Sequence, residues 1–385
     1  MSRLAVFLIC VAFVSACGGG KSNVEPPAPL VDFTATASVK RVWSVDVGKG
    51  EKKKLVTLSP RLHAGTVYVA DPAGRVSAFA ADSGRRVWIV DIKEPVSGAV
   101  GYGEGLVLLG TKQGDVIALQ SDSGEVYWKS AVSSEVLVPP IAASGIVVAQ
   151  AIDGQIFGIS ARDGERLWSQ RRDEPSLSLR GTSAPVINRG LVLSGFAGGK
   201  IVAFDLQSGR PVWERTVAHP RGRSEIERLV DVDAAPLVVG GVVFAASYQG
   251  KLVAIDMETG RVLWSREASS YTGMDADQQN IYLTDDKSHV LALDQHSGAG
   301  LWKQDKLQAR AVNAPTLVAG YVAVGDLSGY VHWLSKDTGQ FAARTRIDRS
   351  PIRGKAVAAA DTLFVQSQKG MLSALRIRAK GKRSR

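Results

Sequence analysis

The sequence predicts an all-β protein, an eight-bladed β-propeller built from four-stranded antiparallel blades. A short motif that ends in tryptophan recurs along the chain, at spacings of 40, 40, 45, 51 and 38 residues between Trp88 and Trp302. Alternating apolar and polar residues precede each motif, as in half-buried antiparallel strands. The chain also begins with one lone strand and ends with three. A four-stranded unit that recurs about every 40 to 45 residues is typical of a propeller blade.

The first residues predict a bacterial lipoprotein signal peptide at 1–16. Arg3 precedes an eleven-residue apolar run, long enough for a signal peptide and too short to span a bilayer. Val-Ser-Ala-Cys, ending at Cys17, has the form of a lipobox and predicts acylation of that cysteine; an ordinary cleavage site containing cysteine is the alternative. Residues 17–38 are expected to be the lipidated end and a flexible tether, because their first part is rich in glycine and proline.

Cysteine usage predicts a mature protein without a disulfide. The two cysteines are Cys10, within the signal peptide, and Cys17. Processing and acylation would leave no free thiol, so the core must be stable without a crosslink in an oxidising compartment.

Each repeat places a glycine turn before the strand that carries tryptophan. DSGRRVW ends at Trp88 and ETGRVLW at Trp264, while a seventh copy, DTGQFAA at 337–343, keeps the turn and lacks the tryptophan. An xG dipeptide between alternating strands predicts a hairpin, since glycine accepts a positive φ at little cost. We name the four strands of a blade A, B, C and D, with tryptophan on D. The predicted docking tryptophans are Trp43, Trp88, Trp128, Trp168, Trp213, Trp264 and Trp302.

The two chain ends are complementary parts of one repeat. RVWSVDV at 41–47 is a lone D strand, and 352–377 contains A, B and C strands without a D strand. Their pairing would close the ring and remove open sheet edges. An open β-solenoid, the alternative architecture, would not need a repeat that is split between the two ends. The predicted propeller is 39–378, followed by a basic tail at 379–385. Trp333 is out of phase, on a C strand, and is interpreted as core or as a surface aromatic, with core favoured.

Two intervals between motifs are longer than the others, and both add residues between a D strand and the next A strand. They contain PSLSLRG at 175–181 and SEIERLVDVDAAP at 224–236. Loops alternate between the two faces of an up-and-down blade. Both insertions should therefore emerge on the same face, from neighbouring blades, as one patch.

The side chains of these insertions suggest a protein-binding patch. In extended segments alternate side chains share a side, so Leu177 and Leu179 would oppose Arg180, and Asp231 and Asp233 would oppose the intervening valines. Exposed leucines could supply an apolar anchor and the charges could set register. The alternative is that the leucines pack beneath their own loop and that Arg180 pairs with Asp231 or Asp233.

The pattern A(F/L/I)xxx(S/T)GxxxW resembles the tryptophan-docking repeat of pyrroloquinoline-quinone-type propellers. Together with the lipobox, the eight blades and the two insertions, it resembles the BamB family, outer-membrane lipoproteins of the β-barrel assembly machinery, over essentially the whole chain. This resemblance implies that Leu177, Leu179, Arg180, Asp231 and Asp233 contact a periplasmic POTRA domain of BamA.

The same resemblance implies a lipid anchor in the outer membrane of a Gram-negative bacterium, with the body facing the periplasm. Gly18 after the cysteine, rather than aspartate, agrees with sorting to the outer membrane. The implied function is assistance in folding and inserting outer-membrane proteins, either by positioning the POTRA domains or by offering a strand edge to an unfolded substrate.

Quinoprotein dehydrogenases share this repeat and provide the alternative function. Their resemblance would imply adjacent cysteines over the quinone, a bound calcium ion and a catalytic aspartate. No cysteine remains after acylation, the five histidines are scattered, and the carboxylate pairs at Asp231 and Asp285 lack the spacing of a calcium loop. The sequence therefore predicts a protein that is not an enzyme and has no cofactor or metal.

The formal net charge of +10 is concentrated in two segments, 48–54 and 376–385. The predicted compartment excludes nucleic acid as a partner. The basic segments suggest contact with anionic lipid or with an acidic protein, and solvated ends that keep the protein soluble are the alternative.

Overall fold

The propeller predicted from the sequence is confirmed. A computed structural model describes residues 25–48, 50, 57–172, 181–221, 223–224 and 227–381. These residues form 32 β-strands, arranged as eight four-stranded antiparallel blades. Within this part of the chain no helix is long and apolar enough to cross a membrane. The predicted signal peptide and Cys17 lie outside the described residues.

Blades 1 to 4 follow one another along the chain, each with its strands in the order A to D. Blade 1 comprises β2 (Arg61–His63), β3 (Thr66–Ala70), β4 (Arg75–Ala80) and β5 (Arg86–Asp91). Blade 2 comprises β6 (Gly101–Gly103), β7 (Leu106–Gly110), β8 (Asp115–Gln120) and β9 (Val126–Ala131). Blade 3 comprises β10 (Ile141–Ala143), β11 (Ile146–Gln150), β12 (Gln155–Ser160) and β13 (Arg166–Arg171). Blade 4 comprises β14 (Val186–Asn188), β15 (Leu191–Phe196), β16 (Lys200–Asp205) and β17 (Pro211–Thr216).

Blades 5 to 7 continue this order, and blade 8 combines both ends of the chain. Blade 5 comprises β18 (Leu237–Val239), β19 (Val242–Ala246), β20 (Lys251–Asp256) and β21 (Val262–Glu267). Blade 6 comprises β22 (Met274–Ala276), β23 (Asn280–Thr284), β24 (Val290–Asp294) and β25 (Gly300–Gln304). Blade 7 comprises β26 (Thr316–Val318), β27 (Tyr321–Gly325), β28 (Tyr330–Ser335) and β29 (Phe341–Arg346). Blade 8 comprises β30 (Val357–Ala359), β31 (Thr362–Gln366), β32 (Met371–Ala379) and β1 (Ala37–Asp46).

The core is divided into eight apolar clusters, one between each pair of neighbouring blades. The B and C strands are covered on both faces by adjacent blades, and all five residues of β7 are buried. These strands are therefore more buried than their alternating pattern predicts, because a propeller packs both faces of each sheet. Only the outer D strands keep a clear alternation of buried and exposed residues.

The ring closes through antiparallel pairing of β1 with β32. The pairing runs from Ala37 opposite Ala379 to Asp46 opposite Met371, with a bulge between Arg41 and Trp43. The first strand thus supplies the D strand of the last blade, as predicted, and it starts two residues before the expected boundary at residue 39.

Each of the seven D-strand tryptophans packs against the next blade. The indole Nε1 donates to a main-chain carbonyl after the neighbouring C strand, at 2.8–2.9 Å in all seven cases. Trp88, for example, donates to Ser121 O, and its ring lies where a Cβ on Gly124 would stand, 2.6 Å away. Glycine is therefore needed in each turn for two reasons: it adopts a positive φ, and its missing side chain leaves room for the indole ring.

Gly124→Ala tests this packing. We expect it to lower the free energy of unfolding by about 2–4 kcal/mol, since the new methyl group combines left-handed strain with overlap on the Trp88 ring. The matched control is Gly105→Ala: its φ of +74° is close to the +78° of Gly124, but its Cβ would meet no atom within 4 Å. The control should cost only about 1 kcal/mol. Equal losses in denaturant unfolding would show that the tryptophan contact contributes nothing.

Blade 7 inverts the usual arrangement. In the other seven blades a small C-strand residue pairs with the D-strand tryptophan, as Ala118 does with Trp128. In blade 7 the tryptophan is Trp333 on strand C, opposite Ala343 on strand D. Trp333 is 0% exposed, so it belongs to the core. Blade 8 explains the exchange: its C and D strands come from opposite chain ends, so no C–D turn exists to receive a docking tryptophan.

Residues 25–36, which we call the N-terminal strap, correct part of the predicted tether. This segment lies against the propeller instead of forming a free linker. The Phe33 ring stacks on Phe341 with centroids 5.3 Å apart, and the Thr36 N–H donates to Ala342 O at 3.0 Å. The glycine- and proline-rich composition indicated flexibility, but it carried no information about these contacts with distant blade 7.

Candidate functional site

The B–C turns and the D–A connections lie together on one face of the propeller, which we call the D–A face. The Val232 N–H donates to Phe196 O at 3.2 Å, and the Tyr248 N–H donates to Asp231 O at 2.9 Å. These bonds attach the 217–236 connection to the ends of B strands in blades 4 and 5. Its neighbour, 172–185, joins blades 3 and 4.

A third D–A connection, 47–60 between blades 8 and 1, is as long as 172–185. Sequence reasoning that started from Trp88 missed this connection. The spacing from Trp43 to Trp88, also 45 residues, was the signal that could have revealed it. The basic segment 48–54 belongs to this connection.

Leu177, Leu179 and Arg180 lie outside the described residues. Their role as a partner-binding group stays a prediction. The described chain resumes at Gly181, immediately after them.

The 172–185 and 217–236 connections contact each other at their described ends. A Cβ on Gly181 would lie 2.6 Å from the carboxylate of Asp233. The Ser183 hydroxyl donates to Ala234 O at 3.2 Å and is buried. The described end of the first insertion, at Gly181 and Ser183, therefore lies directly on Asp233 and Ala234 of the second.

Asp231 is buried beside this contact, with 2% of its area exposed. Its Oδ1 accepts the Gly198 N–H at 3.0 Å, which ties the connection to the B–C turn of blade 4. The flanking Val230 and Val232 are 2% and 1% exposed. All three residues thus point into the protein, in contrast to the two-sided arrangement predicted from extended geometry. Asp233 is half-buried at the junction with Gly181.

The earlier part of the second connection has a capping-box arrangement. Glu227 Oε2 accepts the N–H groups of Arg223 and Ser224 at 2.7 and 3.2 Å, and Ser224 Oγ accepts the Glu227 N–H at 3.3 Å. These main-chain hydrogen bonds lower the pKa of Glu227. The turn is exposed and carries charge, which suits the rim of a protein interface.

Two tyrosines border the same connection and were not singled out from the sequence. Tyr248, whose N–H donates to Asp231 O, lies on the B–C turn of blade 5. Tyr271 lies on the next D–A connection. Their rings make an edge contact at 6.0 Å, and Tyr271 is 45% exposed. The available signal was that Tyr248 is aromatic, whereas the corresponding B–C turn position is Pro72, Lys112, Ile152, Leu327 or Gln368 in other blades.

The most strongly buried charges lie elsewhere, beneath blade 7. Asp326 Oδ2 accepts from Arg310 Nε at 2.8 Å and from Nη2 at 2.7 Å, and it lies 3.0 Å from His332 Nε2. Arg344 Nε donates to His332 Nδ1 at 3.2 Å, which requires a neutral ring with its proton on Nε2. Burial lowers the pKa of His332, in agreement with that form.

Asp326 remains charged within this group. Burial by itself would raise the pKa of its carboxyl group, but hydrogen bonds from His332, from the Tyr330 N–H and from Arg310 together lower it. The cluster is structural, because its atoms join the B–C turn of blade 7 to the 305–315 connection.

The described residues contain no group of three or more His, Cys, Asp or Glu side chains placed to hold a metal ion. A cavity between blades 8 and 1, lined by Asp71, Arg353 and Gln366 among others, measures about 20 Å³. A second depression, of about 240 Å³, lies beside Asp277 and Lys336. Both are smaller than the roughly 300–1,000 Å³ of a typical cofactor pocket.

Comparison with known proteins now places the chain. The family model for the outer membrane protein assembly factor BamB matches residues 72–304 and 287–384. BamB of Pseudomonas aeruginosa is 49% identical over 97% of this chain and 98% of its own length. BamB of Escherichia coli K12 is 38% identical over 94% and 96%, respectively. The chain belongs to the BamB family.

Solved structures agree with this BamB assignment. The crystal structure of BamB from Moraxella catarrhalis matches with a TM-score of 0.81 and 28% identity, covering 88% of this chain and all of that chain. A quinohemoprotein alcohol dehydrogenase from Comamonas testosteroni reaches a TM-score of 0.71 at 13% identity, covering 90% and 78%. That second likeness shows the fold alone. In this BamB-family chain the junction of the 172–185 and 217–236 connections is a feature that the blade repeat does not produce.

Proposed function

We propose that this chain is a non-catalytic scaffold lipoprotein of the outer-membrane β-barrel assembly complex. It binds the periplasmic POTRA region of BamA and assists the folding and insertion of outer-membrane proteins. Acylated Cys17 anchors it in the outer membrane, and the propeller faces the periplasm. Membership of a family whose members are named outer membrane protein assembly factors supports the general role.

The contact between Gly181 and Asp233 is the observation that supports the binding site. It joins two insertions from adjacent D–A connections into one surface on a rigid ring. A partner that fits this surface would contact both insertions at once, which gives specificity that neither loop has alone.

The residues of the surface divide into two roles. Leu177 and Leu179 supply apolar area to the partner, and Arg180 and Asp233 supply charge. Asp231 is a positioning residue, because its buried carboxylate holds the connection onto Gly198. An Arg180 side chain that pairs with the aspartates before the partner arrives is compatible with these roles.

Capture of the BamA POTRA region tests the proposal. With the mature chain carrying Cys17→Ser, we expect Leu179→Ala and Asp233→Ala each to weaken binding about tenfold, the loss of about 1.4 kcal/mol typical of one interface residue. His296→Ala, an exposed change in the C–D turn of blade 6 on the opposite face, is the control and should bind normally.

The possible results separate the parts of the proposal. If the unmodified body does not capture the POTRA region, the scaffold function is wrong. If it binds and the two variants bind equally well, the function stands and the site is wrong. Saturable binding of pyrroloquinoline quinone with calcium, accompanied by alcohol oxidation, would contradict the non-catalytic role.

A further inference from the structure

The N-terminal strap is held to the propeller along its length. At its start the Ala28 N–H donates to Gln308 O at 3.0 Å, and Arg310 Nη1 donates to Ala28 O at 2.8 Å. In its middle, Phe33 stacks on Phe341 and lies 5.0 Å from the guanidinium carbon of Arg344. Neutral, aromatic and charged contacts thus act together to fix one path for the strap.

The strap also has a defined direction. Its end, at Thr36, is hydrogen-bonded to Ala342 and Lys380, far from the D–A face along strands β29 and β32. Its start lies at Gln308 and Arg310, within the 305–315 connection. That connection is on the D–A face, because the Ala309 N–H donates to Lys287 O in the B–C turn of blade 6.

The buried charge cluster under blade 7 supports the start of the strap. Arg310 is 5% exposed and uses Nε and Nη2 for Asp326, which leaves Nη1 directed at the Ala28 carbonyl. A guanidinium held by two bonds to one carboxylate has little freedom to follow the strap elsewhere. The exit of the chain is therefore fixed at the D–A edge of blades 6 and 7.

Only eight peptide links separate Glu25, the first described residue, from Cys17. Even a fully extended chain covers about 3.3–3.6 Å per residue, so the reach is at most about 29 Å. A lipid on Cys17 thus keeps the fixed exit point within that distance of the bilayer. Without the strap contacts, the free chain would extend to residue 36 and would allow any face to approach.

Cationic side chains lie on the same sector of the D–A face. Arg349 and Arg353 on the connection between blades 7 and 8, and Lys369 on the B–C turn of blade 8, are exposed. The neighbouring Asp348 carboxylate accepts from the hydroxyl groups of Ser350 and Ser367. Anionic lipid head groups would be attracted to these cations at short range.

We propose that the strap orients the propeller on the membrane, with the D–A edge of blades 6 and 7 nearest to the lipid surface and the cationic sector facing anionic head groups. The inference rests on the lipid anchor of the proposed function. It adds that the surface formed by the two long insertions is on the membrane-side face of the ring.

Energy transfer to labelled lipid tests this orientation. Lys306→Cys places a donor on the D–A face of blade 6, and His296→Cys places one on the opposite face of the same blade. The acylated full-length protein is bound to vesicles that contain phosphatidylglycerol and an acceptor lipid. We expect at least about twofold more transfer from position 306, because β25 with its turns separates the two sites by about 20 Å.

A strap variant provides the second comparison. Phe33→Ala with Ala28→Pro removes the aromatic stack and the Ala28 N–H, and Thr34→Ala, an exposed strap residue, is the control. The difference between the two probe sites should fall towards zero in the first variant and persist in the control.

Equal transfer from both sites in the unmodified protein would overturn the inference, as would an undiminished difference in the strap variant or no transfer at all. Capture of the POTRA region by the same vesicles distinguishes failure of the orientation from failure of the proposed function. Normal capture with equal transfer counts against the orientation alone.

Discussion

Trp333→Ala is expected to lower the free energy of unfolding by about 3–5 kcal/mol, the cost of removing a fully buried large aromatic side chain. Trp333 is 0% exposed and packs with Ala37, Leu375 and Ile377 between blades 7 and 8. Its Nε1 has no hydrogen-bond partner among the described residues, so the loss reflects packing rather than a docking bond. Denaturant unfolding monitored by circular dichroism measures the effect.

The double variant Trp333→Ala/Ala343→Trp distinguishes packing from sequence pattern. It restores the order of the other seven blades, with a small residue on C and tryptophan on D. We expect no recovery of stability, because blade 8 has no C–D turn and therefore lacks the turn glycine on which the tryptophans of the other blades pack. Recovery to the level of the unmodified protein would contradict the explanation given for the exchange.

Asp326→Asn should destabilise the protein by a similar amount, about 3–5 kcal/mol. The substitution keeps the shape of the side chain but removes the negative charge that faces Arg310, which would then be buried without compensation. The amide N–H groups of the new asparagine would also face Arg310 and the His332 Nε2–H, which are themselves hydrogen-bond donors. Thermal and denaturant unfolding at neutral pH provide the measurement.

The matched control is Asp305→Asn, twenty-one positions earlier on the same side of the ring. Its carboxylate is 3.3 Å from Lys306 Nζ, and both side chains are more than half exposed. Loss of such a surface ion pair should cost less than about 1 kcal/mol. Comparable losses in the two variants would contradict the view that burial makes Asp326 important.

Strand order and blade closure could be predicted because both depend on local pattern. Trp88, Trp128 and their counterparts recur with a glycine turn at a constant offset, so each copy identifies its own strand. The split repeat was visible because 41–47 contains a D strand without its preceding strands. Register within each hairpin follows from the same turns.

The candidate site was only partly predictable. The extra length of 217–236 and its place between a D and an A strand followed from spacing, and so did the face on which it lies. The burial of Asp231 did not, because it depends on the Gly198 N–H of another turn. Alternation predicts which side chains share a side only when the segment is an extended strand, and the 217–236 connection is not a strand.

By itself the sequence determined that this protein is an eight-bladed ring closed by its own termini, and its two insertions marked one face. Only the tertiary structure decided that Trp333 and Ala343 exchange places, that Asp231 is buried and that residues 25–36 form a strap. The physical reason is the separation along the sequence of the residues that interact. Periodicity and turn residues act over a few positions, whereas Ala28 meets Arg310 and Ala37 packs with Trp333 only after the ring has closed.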